Sequence, residues 1–368
     1  MNLCIVKYKE ITISETFIKA HAERLPVNVT VIEGRLPHVG GKACLSESLV
    51  SRVFRKTRRL IADGDAAWNI SAAYQETFQK FRANAVLAEY GISGVLVMDA
   101  CTKAGIPLIV HCHGFDVSDR NILMEHGRTY PELFKKAAAI VSVSEAMRAK
   151  LVSLGAPQHK IRTNPYGVDC RLFSATNAAS NPPIFIAVGR LVEKKAPYLT
   201  LVAFSKVHKS FPEAQLRMIG DGPLLGPCQD LAKVLGMSNC VKFLGSQSHD
   251  VVRREMCGSR AFVQHSVEAS SGDCEGAPVS IIEACASALP IVSTRHAGIP
   301  EIVVDKETGF LVDERDVHGM AECMSKFLRD PQLAGQMGMM GRSRIETRYS
   351  MDRSISGLLS IINSCVSS

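Results

Sequence analysis

Two glutamates, Glu275 and Glu283, stand eight positions apart in DCEGAPVSIIEACASALPIVSTRHAGIPEIV, residues 273–303. Glu275 belongs to a cluster of Gly, Ala and Pro, whereas Glu283 lies in an apolar run. The tripeptide Gly276, Ala277, Pro278, followed by Val279, reads as the entry to a helix over roughly VSIIEACASAL. Proline is favoured at a helix start, and the free amides there attract anions. Glu275 then sits just outside the helix, facing whatever those amides bind. Glu283 sits inside it, about two turns away and on its own face. Such a pair suits one carboxylate at a reacting centre and another on vicinal hydroxyls. Surface helices also carry glutamates routinely, and spacing alone leaves both readings open.

Three other stretches place polar chemistry at strand tips. In VGRLVEKKAP, 188–197, an apolar strand ends at Gly189, and Arg190 and Lys195 emerge just beyond it. An open α/β sheet binds its ligand there, and a guanidinium fork with an ammonium suits a diphosphate. Exposed loop charge is the ordinary alternative for Lys194 and Lys195. In HCHGFDVS, 111–118, His113, Gly114 and Asp116 follow a β-rich run, and a histidine on that rim suits a hydroxyl or a phosphate, while a lone histidine is more often a hydrogen-bonded structural residue. LRMIGDGPLL, 216–225, has Gly220 and Gly222 in a turn, but its third glycine is displaced to Gly226 and VKFLG ends without the acidic residue of a nicotinamide site. It reads as a tight turn, either an ordinary one or one beside a nucleotide. GGKA at 40–43 lacks the leading glycine of a phosphate loop, and DGD at 63–65 is read as a turn rather than a metal site.

The elements needed to position these residues alternate along the chain. LCIVKY, GVLVM (94–98), PLIVHCHG and AIVSVS are predicted strands of the first half, separated by helix-like stretches such as SETFIKAHAERL. SATNAASNPP, 174–183, has linker composition. A second series follows, from IFIAVGR through QLRMIG, VKFLG and AFVQHS to GFLV. The predicted architecture is α/β, with two facing Rossmann-like domains over 1–175 and 176–349 and a cleft between them. The last stretch, 350–368, is expected to be helical and to pack back on the first domain.

Composition narrows the rest. The chain has 368 residues, 46% hydrophobic and 21% charged, enough for sizeable cores. No apolar run approaches the ~20 residues of a membrane-spanning helix, and an intracellular protein is expected. Twelve scattered cysteines, with no CxxC pair, are expected to be free thiols. The formal charge is +7, and SRVFRKTRRL, 51–60, holds five basic residues. That segment reads as a solvated face or as a surface for anionic lipid. No nucleic-acid signature accompanies it.

Taken together, GRLVEKK, GDGP, EGAPVSIIEA and STRHAGIPEIV resemble the family 4 retaining glycosyltransferases of the GT-B fold. SETFIKAHAERL, HCHGFDVS and NPYGVD resemble the branch that assembles bacterial exopolysaccharide, the colanic-acid type. The resemblance runs from about residue 14 to about 350. It implies a donor diphosphate held by Arg190 and Lys195, a nucleotide ribose on Glu283, and Glu275 beside the donor sugar. It implies sugar and phosphate contacts from the backbone of Gly276, Ala277, Pro278 and Val279, with His113 reaching the transferred sugar. It further implies a nucleotide-sugar donor, UDP- or GDP-hexose, a lipid-linked or oligosaccharide acceptor, retention of configuration and no metal or other cofactor. A cytoplasmic enzyme, peripheral on the inner membrane face, is the corresponding location. Two departures stand out: Ala196 replaces the usual glycine, and KYKEITISE lacks a glycine-rich loop, leaving Ser14 and Thr16 for any phosphate contact there. An epimerase of the same fold and a non-catalytic nucleotide-sugar-binding protein remain alternative readings. A phosphorylase would need a much longer chain.

Overall fold

The computed structural model describes residues 1–9, 15–44 and 66–367. These form two sheets. The first contains β1 (Asn2–Lys7), β2 (Asn28–Glu33), β3 (His38–Val39), β4 (Lys42–Ala43), β5 (Ala85–Glu89), β6 (Leu108–His111), β7 (Ala139–Ser142) and β8 (Ile161–Thr163), in the order β4-β3-β2-β1-β5-β6-β7-β8. The second contains β9 (Ile184–Val188), β10 (Gln215–Ile219), β11 (Val241–Gly245), β12 (Ala261–Val263), β13 (Ile291–Thr294) and β14 (Gly309–Val312), in the order β11-β10-β9-β12-β13-β14. Apart from the β3 and β4 edge, the strands pair in parallel. Their sequences are near-continuous apolar runs because helices cover both faces. In β1, Leu3, Cys4, Ile5 and Val6 are all buried.

Strand order reverses between β1 and β5 in the first sheet and between β9 and β12 in the second. Loops leave in opposite directions at such a switch point and open a crevice at the carboxyl ends. Lys7, Glu89 and His111 end their strands at the first crevice, and Gly189 follows β9 at the second. The helix Met351–Val366 returns to the first sheet, where Ile355, Leu358 and Ile362 share a buried cluster with Leu3, Ile5, Leu87 and Val141. Asn164 donates to the Ser354 carbonyl at 3.1 Å and anchors that return.

GVLVM is not a strand. It lies in the helix Gly91–Ala104, and the neighbouring strand is AVLAE, 85–89. A run of five apolar residues has no periodicity to distinguish the two states. What decides it is the helix end, where Gly105 takes a left-handed φ of 65° and its amide closes on the Cys101 and Thr102 carbonyls. Residues Gly40 and Gly41 of GGKA, φ 56° and 75°, make the two-residue turn between β3 and β4.

The departure at Ala196 has a backbone consequence. Ala196 is fully buried with φ 35° and ψ 55°, a conformation that glycine adopts without steric cost. Ala196→Gly is therefore expected to stabilise the fold by up to about 1 kcal/mol, the relief of left-handed strain less the added entropy of the unfolded chain. Denaturant midpoints with unchanged slope provide the check.

Candidate active site

The crevice of the second sheet is a recess lined by Gly189, Arg190, Lys195, Thr200, Val263 and Gln264 among others. Gly220 and Gly222 shape it by backbone packing. A Cβ on Gly220 would stand 2.0 Å from the Gly189 carbonyl oxygen, and one on Gly222 would stand 2.6 Å from that of Leu191. The turn after β10 thus buttresses the loop that carries Arg190, with the Leu191 amide donating to the Asp221 carbonyl at 2.9 Å. Arg190 is exposed at the mouth and has no ion pair among the described residues.

The three charges of EKK divide their work. Glu193 accepts from the Ser270 amide at 2.7 Å and from its hydroxyl at 2.8 Å. Lys194, 8% exposed, donates to Asp273 at 2.9 Å and to the Cys274 carbonyl at 3.2 Å. Both residues fasten the loop that bears Glu275. Lys195 runs over Gly189, where a Cβ would meet its Cε at 2.9 Å, and forms a salt bridge with Glu275 Oε1 at 2.8 Å. Burial alone would raise the Glu275 carboxyl; the Lys195 charge, then that of Lys194, outweighs it and holds the group down to about 2. His296 completes the setting: its Nε2 accepts the Glu275 amide at 3.2 Å, while its Nδ1 faces Glu314 at 2.6 Å.

The helix expected after GAP spans Val279–Ala286, with Pro278 as its N-cap and no side chain capping it. Glu283 is its fifth residue, half-buried, and its carboxylate has no hydrogen bond or ion pair among the described residues. Burial raises this carboxyl to about 7, with Arg253 opposing only in part. The two glutamates are therefore opposites: one ionised and paired, the other poised near neutrality and open to a ligand.

On the facing domain, Asp116 organises HCHGFD. Its carboxylate accepts the amides of His113 at 3.0 Å, Gly114 at 2.9 Å and Gly91 at 2.8 Å. His113 is 8% exposed and bonded at both nitrogens, Nε2 to Glu89 Oε2 at 2.7 Å and Nδ1 to the Tyr166 hydroxyl at 2.6 Å. Burial pushes the Tyr166 phenol well up, so it donates to Nδ1 and leaves the Nε2–H for Glu89. Neither nitrogen is then free for a sugar hydroxyl. The expectation that the imidazole itself reaches a sugar needs one of these bonds to be exchanged. In this arrangement the ring braces the wall, packed at a tilt of 32° against Phe17 at a centroid distance of 4.5 Å.

The "Glycosyl transferases group 1" family model matches residues 171–344, and the "Glycosyltransferase Family 4" model matches 15–172. The chain belongs to the family 4 glycosyltransferases. Among curated relatives, this glycosyltransferase is 28% identical over 305 residues to a putative colanic acid biosynthesis glycosyltransferase, WcaL, of Salmonella typhimurium, covering 81% of this chain and 75% of the relative. It is 28% identical over 274 residues to the amylovoran biosynthesis glycosyltransferase AmsK of Erwinia amylovora, covering 73% and 67%. Among solved structures it resembles Anabaena HepE in complex with UDP and glucose, with a TM-score of 0.80, 16% identity and coverage of 99% and 100%. At that identity the likeness bears on fold alone. The sheets and crevices are those of the GT-B fold.

The two domains of the glycosyltransferase meet through backbone. A Cβ on Gly276 would lie 2.4 Å from the His113 carbonyl oxygen, and one on Gly298 would lie 3.0 Å from the Ser144 Cβ. Glu301 of GIPEIV accepts the amides of Glu145 at 2.9 Å and Ala146 at 3.0 Å, capping the helix Glu145–Ser153 of the other domain. The Ser118 hydroxyl accepts the Cys274 amide at 3.0 Å. Gly276→Ala is expected to hold the domains apart and lower turnover more than tenfold, because misplacement of about 1 Å is enough for such losses. Small-angle scattering should show a larger radius of gyration, with far-UV circular dichroism unchanged.

Arg190, Lys195, Glu275 and Glu283 are legible in the sequence, and three of these line or adjoin one crevice. Glu193, Asp273, Glu314 and His296 bear no sequence signal of their roles, although His296 lies within STRHAGIPEIV. Glu89 ends an apolar strand outside any motif, and His21 lies buried inside the helix Thr16–Arg24, within SETFIKAHAERL, with no role marked by the sequence. The basic segment 51–60, DGD at 63–65 and Ser14 lie outside the described residues, while Thr16 begins the helix Thr16–Arg24.

Proposed function

We propose that this glycosyltransferase moves a hexose, with retention and without a metal, from a UDP- or GDP-hexose to a lipid-linked or oligosaccharide acceptor in exopolysaccharide synthesis. The observation that carries the reading is the convergence of Arg190, Lys195 and the ionised Glu275 on the crevice of the second sheet. The names of WcaL and AmsK support the pathway. The two cations and the uncapped amides before Ser280 supply the positive field that a diphosphate needs, aimed where charge develops on the leaving group.

In this reading the diphosphate draws Lys195 toward itself and frees Glu275 for the hydroxyls of the donor sugar. Glu283 accepts the two ribose hydroxyls. The anomeric carbon–oxygen bond to phosphate breaks while the acceptor oxygen forms its bond on the same face. The acceptor proton passes to the departing phosphate oxygen. Arg190 and Lys195 take up the charge left on the diphosphate. Position on the inner membrane surface, through 51–60, belongs to the same proposal. No helix among the described residues is long and apolar enough to cross a membrane. Flotation with anionic vesicles should carry the protein upward at low salt.

A ligand that binds only the folded chain raises its stability, by about 2.7 kcal/mol at one hundred times Kd. UDP or GDP is expected to raise the melting midpoint accordingly. Absence of a shift with every nucleoside diphosphate would overturn the reading.

A further inference from the structure

Under the cleft wall of the first domain lies a buried group of side chains that transfer chemistry does not use. His21 comes from the helix Thr16–Arg24, Glu89 from the tip of β5 and His111 from the tip of β6. All three are 2% exposed or less. We propose that His21, Glu89 and His111 form a binding site for one divalent transition cation of the zinc class.

Geometry is the first support. The candidate ligand atoms of the three residues all lie within 4.8 Å of one another. His21 Nδ1 is 2.7 Å from Glu89 Oε1, and His111 Nδ1 is 3.6 Å from Glu89 Oε2. Ligands at about 2.0–2.1 Å around a tetrahedral ion stand about 3.4 Å apart, so small side-chain adjustments bring the set to bonding distance. Two imidazoles and one carboxylate suit zinc, cobalt, nickel or ferrous iron, and suit magnesium or calcium poorly.

The second support is independent. Both nitrogens of His111 are buried without a hydrogen-bond partner. A neutral imidazole has one donor and one acceptor to satisfy, and leaving them unpaired in the interior costs free energy. A cation on one nitrogen removes the unmet acceptor. The surroundings also have the form of an outer shell that orients ligands. His113 Nε2 bonds the Glu89 oxygen nearer His111 at 2.7 Å, and Tyr166 holds His113 from its other side at 2.6 Å.

A cation here ties the first helix to the tips of β5 and β6. That helix carries Phe17, which packs at a tilt against His113 and stacks on Tyr166, at centroid distances of 4.5 and 4.6 Å. The ion steadies the acceptor-side wall. It lies in the first domain, whereas the diphosphate crevice is built by the second, so it takes no part in metal-free transfer.

The test uses the full chain, stripped with a chelator and titrated with Co(II), then Zn(II). One Co(II) per chain is expected, with visible d–d bands, displaced by one equivalent of Zn(II). The twelve free cysteines are the competing ligands, and they would announce themselves by thiolate-to-cobalt charge transfer in the near ultraviolet. His111→Ala and Glu89→Gln are each expected to weaken binding at least about tenfold, while His159→Ala, at an exposed histidine, leaves it unchanged. Circular dichroism checks folding, and His111→Gln, which keeps bulk but loses the imidazole, replaces His111→Ala if that variant fails to fold. Absence of Co(II) and Zn(II) binding by the folded protein would overturn the proposal. So would thiolate-type binding that both variants leave intact.

Discussion

Lys195→Ala is expected to lower turnover by about 10²–10³-fold, the loss that follows removal of one preorganised group from a developing charge. The same substitution has a second consequence, because Lys195 also neutralises Glu275. Without it, the Glu275 carboxylate, 8% exposed, is left with the burial that opposes its charge. Breaking such a pair from one side costs about 3 kcal/mol. The two effects separate in a double variant. Lys195→Met with Glu275→Gln is expected to recover most of the lost stability and none of the turnover. Recovery of both would mean that Lys195 serves only to neutralise its partner. Melting midpoints and initial rates on the same preparations provide the measurement.

Glu283→Gln is expected to weaken nucleoside diphosphate binding by about 10–100-fold, since charge-assisted hydrogen bonds are worth about 1.5–3 kcal/mol each. It should also make the ligand-free protein more stable at alkaline pH. Glu283 has its carboxyl raised by burial to about 7, above the ordinary 4.5. A raised carboxyl favours folding below its unfolded value, and that contribution is lost as pH rises from about 4.5 through 7. At pH 8 the wild-type chain therefore carries an unpaired, half-buried charge that Gln removes, a gain on the order of 1–3 kcal/mol. At pH 4 the two proteins should be alike. Stability is given up here for a ligand site. Equal stability at pH 8, or unchanged affinity for UDP and GDP, would count against the assignment.

The sequence made the second domain far more legible than the first. Its strands are apolar runs ended by glycine turns, and their tips carry Arg190, Lys195 and the Glu275 loop in motif-like blocks. In the first domain, GVLVM and AVLAE differ too little in pattern to show which is the strand. His21, Glu89 and His111 are scattered across 91 positions and meet only through the β1-β5-β6 order. Charge assignments were equally hidden. Lys194 and Lys195 are adjacent and alike in sequence, yet one pins a loop and the other faces Glu275, a difference set by one step of a 3₁₀ turn. The bonding of both His113 nitrogens depends on Glu89 and Tyr166, 24 and 53 positions away.

The most direct measurement is a panel of UDP- and GDP-hexoses assayed for hydrolysis or transfer in the presence of a chelator, with the product anomer followed by NMR. One donor class is expected to be consumed with the chelator present, its anomeric configuration retained, and activity lost in Lys195→Ala. An inverted product, or no consumption of any donor that shifts the melting midpoint, would contradict the account.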